Sequence, residues 1–235
     1  MHVINAETIA SGHEAVVRYL LLEGDELVTE DNELTWESPE PVCIHINRPI
    51  DEPMMSVACN FGPRQMEEYV KQFMTVHPKT ETSATYYYSN RLFDYPQVDF
   101  RSEDLIGNGD GRGVDQIRKS IIERLNDSPN SRRAIAITWV PTLDIKSAEP
   151  PCIQLIQCFV RFGQLNMVVY IRSNDMLSAW GENAYALAHL MERIITGIQM
   201  QDLRIGWLET ISTSAHMYWK RDDAELKKFR RILGV

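Results

Sequence analysis

Cys152-Ile153-Gln154-Leu155-Ile156-Gln157-Cys158-Phe159-Val160 and Leu165-Asn166-Met167-Val168-Val169-Tyr170-Ile171, separated by Arg161-Phe162-Gly163-Gln164, decide the fold. β-Branched and aromatic residues fill both arms, and the glycine between them marks a turn, so the pair reads as a long hairpin around Phe162-Gly163-Gln164. Downstream, Ala184, Leu187, Ala188, Met191, Ile194, Ile195 and Ile198 form a broad apolar stripe at helical spacing, opened by Asn183. Long strands beside such a helix place the chain in the α/β or α+β class.

Working outward, Ala134 to Trp139 reads as a short apolar strand. Val114 to Leu125 reads as a helix burying Ile117, Ile121, Ile122 and Leu125, and Asp127-Ser128-Pro129-Asn130 ends it. Residues 6–22 suggest a first helix stopped by Gly24-Asp25. Strands follow at 27–28, 34–36 and 42–46, and a helix at 63–74 carries Met66, Tyr69, Val70 and Phe73 on one face. The stretch 77–112 has little periodicity and reads as a long loop region, a length usually tied to function. A last strand is expected near 205–208, and Lys227-Lys228-Phe229-Arg230-Arg231 forms a basic tail. No repeat or linker interrupts residues 1–235, so a single domain is expected.

At 235 residues and 44% hydrophobic, the chain suits one large domain with a sizeable core. A net charge of −9 argues against a nucleic-acid polymer as partner, while leaving room for a mononucleotide held by a few arginines. Cys43, Cys59, Cys152 and Cys158 lack CxxC or zinc-like spacing, which implies reduced thiols and no metal. No run approaches the ~20 apolar residues of a membrane span, and no signal-peptide layout opens the chain. A soluble, cytoplasmic protein is expected.

Cys152 follows Pro150-Pro151 and begins a strand. A thiol becomes a useful nucleophile when nearby positive charge lowers its pKa, and Arg172 on the partner strand could supply that charge; a small buried hydrophobe is the plainer reading. Ser131-Arg132-Arg133 and Arg172-Ser173 each suit a phosphate, though either alone is commonly a solvated turn. Asn183 at a helix start is ordinarily a cap, but a carboxamide can also accept from a uracil N3–H and donate to O4. His216 and Tyr218 share a face if they lie on a strand, so both could reach one sugar hydroxyl; a satisfied buried pair is the alternative.

In order along the chain, these residues resemble the thymidylate synthase family. The resemblance covers roughly residues 108–220. It runs through Gly111-Arg112-Gly113-Val114-Asp115-Gln116-Ile117, Asn126-Asp127-Ser128-Pro129-Asn130-Ser131-Arg132-Arg133, Pro151-Cys152, Arg172-Ser173-Asn174-Asp175, Asn183 and His216-Met217-Tyr218. Upstream, Tyr88-Ser89-Asn90-Arg91 is similar to the family's active-site tyrosine segment. The resemblance implies a large mixed β-sheet packed by helices. It implies that Cys152 adds to C6 of dUMP and that a reduced pterin, methylene-tetrahydrofolate or a methanopterin-type carrier, donates the one-carbon unit that makes dTMP. Under it, Arg172 serves thiolate and phosphate, and Ser173 serves the phosphate. Arg132 and Arg133 serve the phosphate of a neighbouring subunit, implying a homodimer. Asn183 reads the base, His216 and Tyr218 hold the sugar, Asp175 faces the pterin, Tyr88 is an active-site tyrosine, and Glu68 (or Glu67) manages protons.

Several positions depart from the family pattern. Ile153 stands where a histidine is usual, Ile171 where a glutamine is, and Ser178-Ala179-Trp180-Gly181-Glu182 where Leu-Gly-x-Pro-Phe is. The family's N-terminal Arg-Thr-Gly-Thr-Gly phosphate loop is not evident around residues 27–36. These departures bring the chain nearer the short archaeal-type branch and point to altered carrier contacts; losing the phosphate loop would also be compatible with a monomer. Hydroxymethylation of dUMP or dCMP, and a non-catalytic nucleotide-binding relative, are the competing functional readings.

Overall fold

The computed structural model describes residues 1–78, 84–99 and 101–235. Elements run in the order β1 (His2–Ala6), α1 (Ile9–Glu23), β2 (Asp25–Val28), β3 (Leu34–Glu37), β4 (Val42–Ile46), α2 (Pro63–Met74), α3 (Tyr88–Phe93), β5 (Gln97–Val98) and β6 (Leu105–Ile106). A π-helical turn at Ile117–Ile122 continues as α4 (Glu123–Asp127). Then come β7 (Ala134–Ile137), α5 (Pro141–Asp144), β8 (Ile153–Arg161), β9 (Gln164–Asp175), α6 (Trp180–Gly197), β10 (Arg204–Met217) and α7 (Asp223–Leu233).

The strands form one eight-stranded mixed sheet, ordered β1-β4-β10-β9-β8-β7, with β3 joined to the end of β10 and β2 joined to β3. β10 runs parallel to β9, and β8 and β7 follow antiparallel. The β8–β9 turn has positive φ at both Phe162 (52°) and Gly163 (72°), the two-residue geometry whose twist matches paired strands. Phe162 is fully solvent-exposed there, so the turn rather than packing sets the register.

Inward residues of this sheet alternate as the pleat requires: Ile156, Cys158 and Val160 on β8, Leu165, Met167, Val169 and Ile171 on β9, and Leu208 on β10 are buried. α1 and α6 cover that face. α6 contributes Ala184, Leu187, Ala188, Met191 and Ile194; α1 contributes Ile9, Val16, Val17 and Leu20. Thr8 caps α1 in a reciprocal pair with Ser11, satisfying free amides at its start. The resulting core is continuous from Ile4 to Phe229. No helix among the described residues is long and apolar enough to cross a membrane.

The sequence reading missed β1, α3, α5, the short β5–β6 pair and the helical form of the tail, and it made the last strand too short. β1 is a five-residue edge strand whose pairing with β4 supplies its order. Tyr88–Phe93, inside the expected loop, is a helix because tertiary contacts hold it: Arg91 makes a two-pronged ion pair with buried Asp144 at 2.7 and 3.2 Å. The last strand is fourteen residues long rather than four. The basic tail is α7, which turns Leu226 and Phe229 into the core and its lysines and arginines outward.

Candidate active site

A cavity of about 860 Å³ opens at the C-terminal ends of β9 and β10, walled by the β2–β3 turn and by α2 and α6. Cys152, Arg172, Ser173, Asp175, Asn183, His216, Tyr218 and Tyr88, eight of the residues singled out from sequence, line it together.

Cys152 lies one residue ahead of β8, not on it. The β8–β9 register shifts between Ile153 and Leu155, and such bulges re-aim side chains beside binding sites. Its carbonyl still accepts from the Arg172 amide at 2.9 Å, which fixes the two residues against each other. The guanidinium donates to the carbonyls of Pro151 (3.1 Å) and Pro150 (2.7 Å), and Nη2 stands 3.9 Å from Sγ. The expected lowering of the thiol pKa does not prevail. Burial raises it, while Arg172 and the Tyr86 hydroxyl oppose the rise and Asp175 adds to it. Cys152 is therefore a protonated thiol at neutral pH, with a cation positioned to favour its ionisation.

The Tyr88 hydroxyl accepts from the Ile153 amide (3.1 Å) and from the Tyr86 hydroxyl (3.2 Å), so α3 buttresses the segment that carries the cysteine. Asn183 is not a helix cap. α6 begins at Trp180 with Ala179 as its cap residue, so Asn183 sits in the first turn and its side chain is free for the cavity. Its Oδ1 accepts from the Tyr69 hydroxyl at 2.7 Å. His216 is the penultimate residue of β10 and Tyr218 follows the strand; their rings meet edge-on at 5.1 Å. Burial lowers the His216 pKa, Asp175 and Glu37 oppose that, and the ring is neutral at physiological pH.

Asp175 accepts from the Leu177 amide, from Ser178 Oγ (2.7 Å) and from Arg221 Nη2 (2.6 Å). Glu182, in place of an apolar residue, has one carboxyl oxygen enclosed without a hydrogen-bond partner, and burial pushes its pKa to about 7. Trp180 is fully buried and donates to Thr210 Oγ1 at 3.0 Å, so it belongs to the core rather than to the cavity wall.

One site assignment needs correction. Glu68 and Glu67 both face solvent on α2; Glu68 pairs with Arg64 at 3.3 Å, and neither lines the cavity. The helical period turns Tyr69 inward instead. Arg132 and Arg133 lie away from this chain's own Cys152 cavity and line a separate one of about 310 Å³ with Arg124, Ser128, Asn130 and Ser131. Sequence reading also missed Tyr69, Tyr86 and Arg221. Tyr69 was hidden in an apolar stripe, Tyr86 lay in a stretch without periodicity, and Arg221 follows a strand longer than expected.

An adjoining cavity of about 500 Å³, lined by Phe73, Gln72 and Tyr87 among others, shares Tyr69, Tyr86, Tyr88 and Glu149 with the first. Among the described residues no group of three or more His, Cys, Asp or Glu could hold a metal ion.

This chain belongs to the thymidylate synthase family. A family profile of that description matches residues 66–232. A provisionally named thymidylate synthase of Methanocaldococcus jannaschii is 32% identical over 97% of this chain and 96% of its own. One from Methanothermobacter marburgensis is 30% identical over 92% of both chains, and one from Methanosarcina barkeri is 34% identical over 67% of this chain and 63% of its own. The family uses a folate-type one-carbon carrier.

Proposed function

We propose that this chain is a single-domain, cytoplasmic C5-pyrimidine methyltransferase that converts dUMP to dTMP. The observation that carries the reading is a cysteine with a guanidinium 3.9 Å from its sulfur, in one cavity with the Asn183 carboxamide and the His216–Tyr218 pair.

In this mechanism Cys152, ionised beside Arg172, adds to C6 of the bound uracil, which makes C5 a carbon nucleophile. Tyr86, whose hydroxyl now donates to Tyr88, can turn its proton to the thiolate when it forms, and Tyr88 holds the Ile153 amide so that Cys152 keeps its aim. Asn183 holds the N3–O4 edge, and His216 with Tyr218 holds the 3′-hydroxyl. Ser173 and Arg172 take the phosphate. When bound, the reduced pterin, tetrahydrofolate- or methanopterin-based, would supply the one-carbon unit at C5 and the hydride that reduces it to a methyl group, with the C5 proton lost and Cys152 released from C6. The flat walls of the second cavity, Tyr69, Phe73, Tyr86 and Tyr88, suit a planar heterocycle. Asp175 can meet the carrier by exchanging one of its present partners, Ser178 or Arg221.

Charge supports a homodimer. Among the described residues, Arg172 and Arg221 are the arginines lining the dUMP cavity, against Glu30, Asp31, Glu33, Glu37, Glu149 and Asp175, and Arg221 is already paired with Asp175 and Asp222. A phosphate dianion there calls for more positive charge, which Arg132 and Arg133 of a second copy would supply. Leu155, Phe159, Tyr170, Trp207 and Ile211 point away from the α1–α6 layer and remain partly or fully exposed, a surface suited to a second copy.

The deciding experiment is the product mass after incubation with dUMP and methylene-charged folate or methanopterin in parallel. A gain of one CH₂ is expected and identifies the carrier. A gain of CH₂O would move the chain to the hydroxymethylases. Turnover by Cys152→Ser at the rate of the parent would refute the covalent step.

A further inference from the structure

Tyr69 belongs to the stripe of Met66, Val70 and Phe73 along α2, and its ring packs 6.1 Å from that of Phe73. Its hydroxyl has a more specific contact, the 2.7 Å hydrogen bond to Asn183 Oδ1. A carboxamide has an acceptor end and a donor end of nearly the same shape, and its surroundings decide which end faces a ligand. With Oδ1 held by the phenol, the other end is Nδ2. That atom has no protein hydrogen bond among the described residues and is not enclosed, and Asn183 lines the cavity.

The flipped amide would donate Nδ2–H to the phenol oxygen and leave the phenol proton without an acceptor in a buried position. The proton cannot be shed instead, because burial first and Glu182 second push Tyr69 ionisation well above the ordinary range. An unmet buried donor is disfavoured more than a typical hydrogen bond is favoured. The amide is therefore held one way round.

We infer that Tyr69 is a positioning residue that holds the donor end of the Asn183 amide toward the ligand, so that the site selects a 4-oxo pyrimidine nucleotide over a 4-amino one. This rests on the nucleotide-site reading above and deepens it. Uracil O4 accepts from Nδ2, and the second lone pair of Oδ1 remains for N3–H. Cytosine would set its 4-amino group, a donor, against another donor, and it fits only after the flip that Tyr69 opposes.

The test is equilibrium binding of dUMP and dCMP to the intact protein without carrier, so that it is independent of turnover. The parent should prefer dUMP. Tyr69→Phe, which keeps the ring, should narrow the dUMP:dCMP ratio about tenfold, chiefly by admitting dCMP. In an Asn183→Ala background the same change should leave the ratio alone, because the group being oriented is gone. Asn183→Asp, which still accepts from Tyr69 but presents an acceptor to the base, should reverse the preference toward dCMP even if Tyr69→Phe folds poorly. A parental ratio in Tyr69→Phe, an equal shift with and without Asn183, or an unreversed preference in Asn183→Asp would overturn the assignment. Binding of neither nucleotide by the parent would instead overturn the nucleotide-site reading itself.

Discussion

Replacing Arg172 with glutamine removes the cation opposite Cys152 while retaining a donor for the Pro150 and Pro151 carbonyls. At the observed 3.9 Å separation, Coulomb's law with an effective dielectric of about 20 gives about 4 kcal/mol, or about 3 pH units. Both groups are only partly enclosed and the guanidinium charge is shared with two carbonyls, so we expect about one to two units of that. The sign follows from which form the cation favours: without it the thiolate is less stable and the pKa rises further. Alkylation by iodoacetamide across a pH series reads this directly, since only the thiolate reacts. The other thiols interfere little, because burial pushes Cys43 to about 11 and Cys59 and Cys158 to about 12. Peptide mass analysis then follows Cys152 alone. At pH 8 the Arg172→Gln protein should alkylate roughly ten- to a hundredfold more slowly at Cys152. An inflection that stays put or moves down would refute the proposed pairing.

Arg91→Met should cost about 3–5 kcal/mol by stranding the buried Asp144 carboxylate, read as a lower urea midpoint; a change under about 1 kcal/mol would mean the pair is dispensable. Glu68→Gln should leave kcat/KM within about twofold, since its exposed pair with Arg64 is weak; a large loss would restore it to the proton relay. His13 is fully buried, its Nε2 bonded to the Met176 carbonyl at 2.8 Å, and burial pushes its pKa to about 4. Between pH 6.5 and 4 the unfolded chain binds that proton and the folded chain does not, so His13 lowers stability on acidification by about 1.4 kcal/mol per unit. Glu182 works in the opposite sense between about 4.5 and 7, so the comparison is with His13→Gln, whose urea midpoint should fall less steeply with acid. Parallel slopes would show that the ring is protonated in the fold.

How much was legible in the sequence depended on how local each signal was. The hairpin and the apolar face of α6 are written in periods of two and about 3.6, which neighbouring residues impose on their own, and both are present as read. Cys152, Arg172-Ser173 and Asn183 were found because their residue types are uncommon in those settings, and strand pairing brings them to one cavity. The sequence also determined the mixed α/β class, through long strands that cannot be satisfied without partners.

Tertiary structure decided the rest. Glu67, Glu68 and Tyr69 are consecutive, and only the packing of α2 turns the tyrosine to Asn183 and the carboxylates to water. The pKa of Cys152 depends on a competition between burial and Arg172 that no sequence spacing reveals, because desolvation is a property of the surrounding fold. Tyr88–Phe93 and β1 are ordered by contacts distant in the chain, Arg91 to Asp144 and β1 to β4, so local propensity carried no trace of them. Chemistry-bearing residue types can be named from the chain alone, but which atoms face the cavity is fixed in part by partners more than fifty residues away, Tyr69 for Asn183 and Tyr88 for the segment beside Cys152.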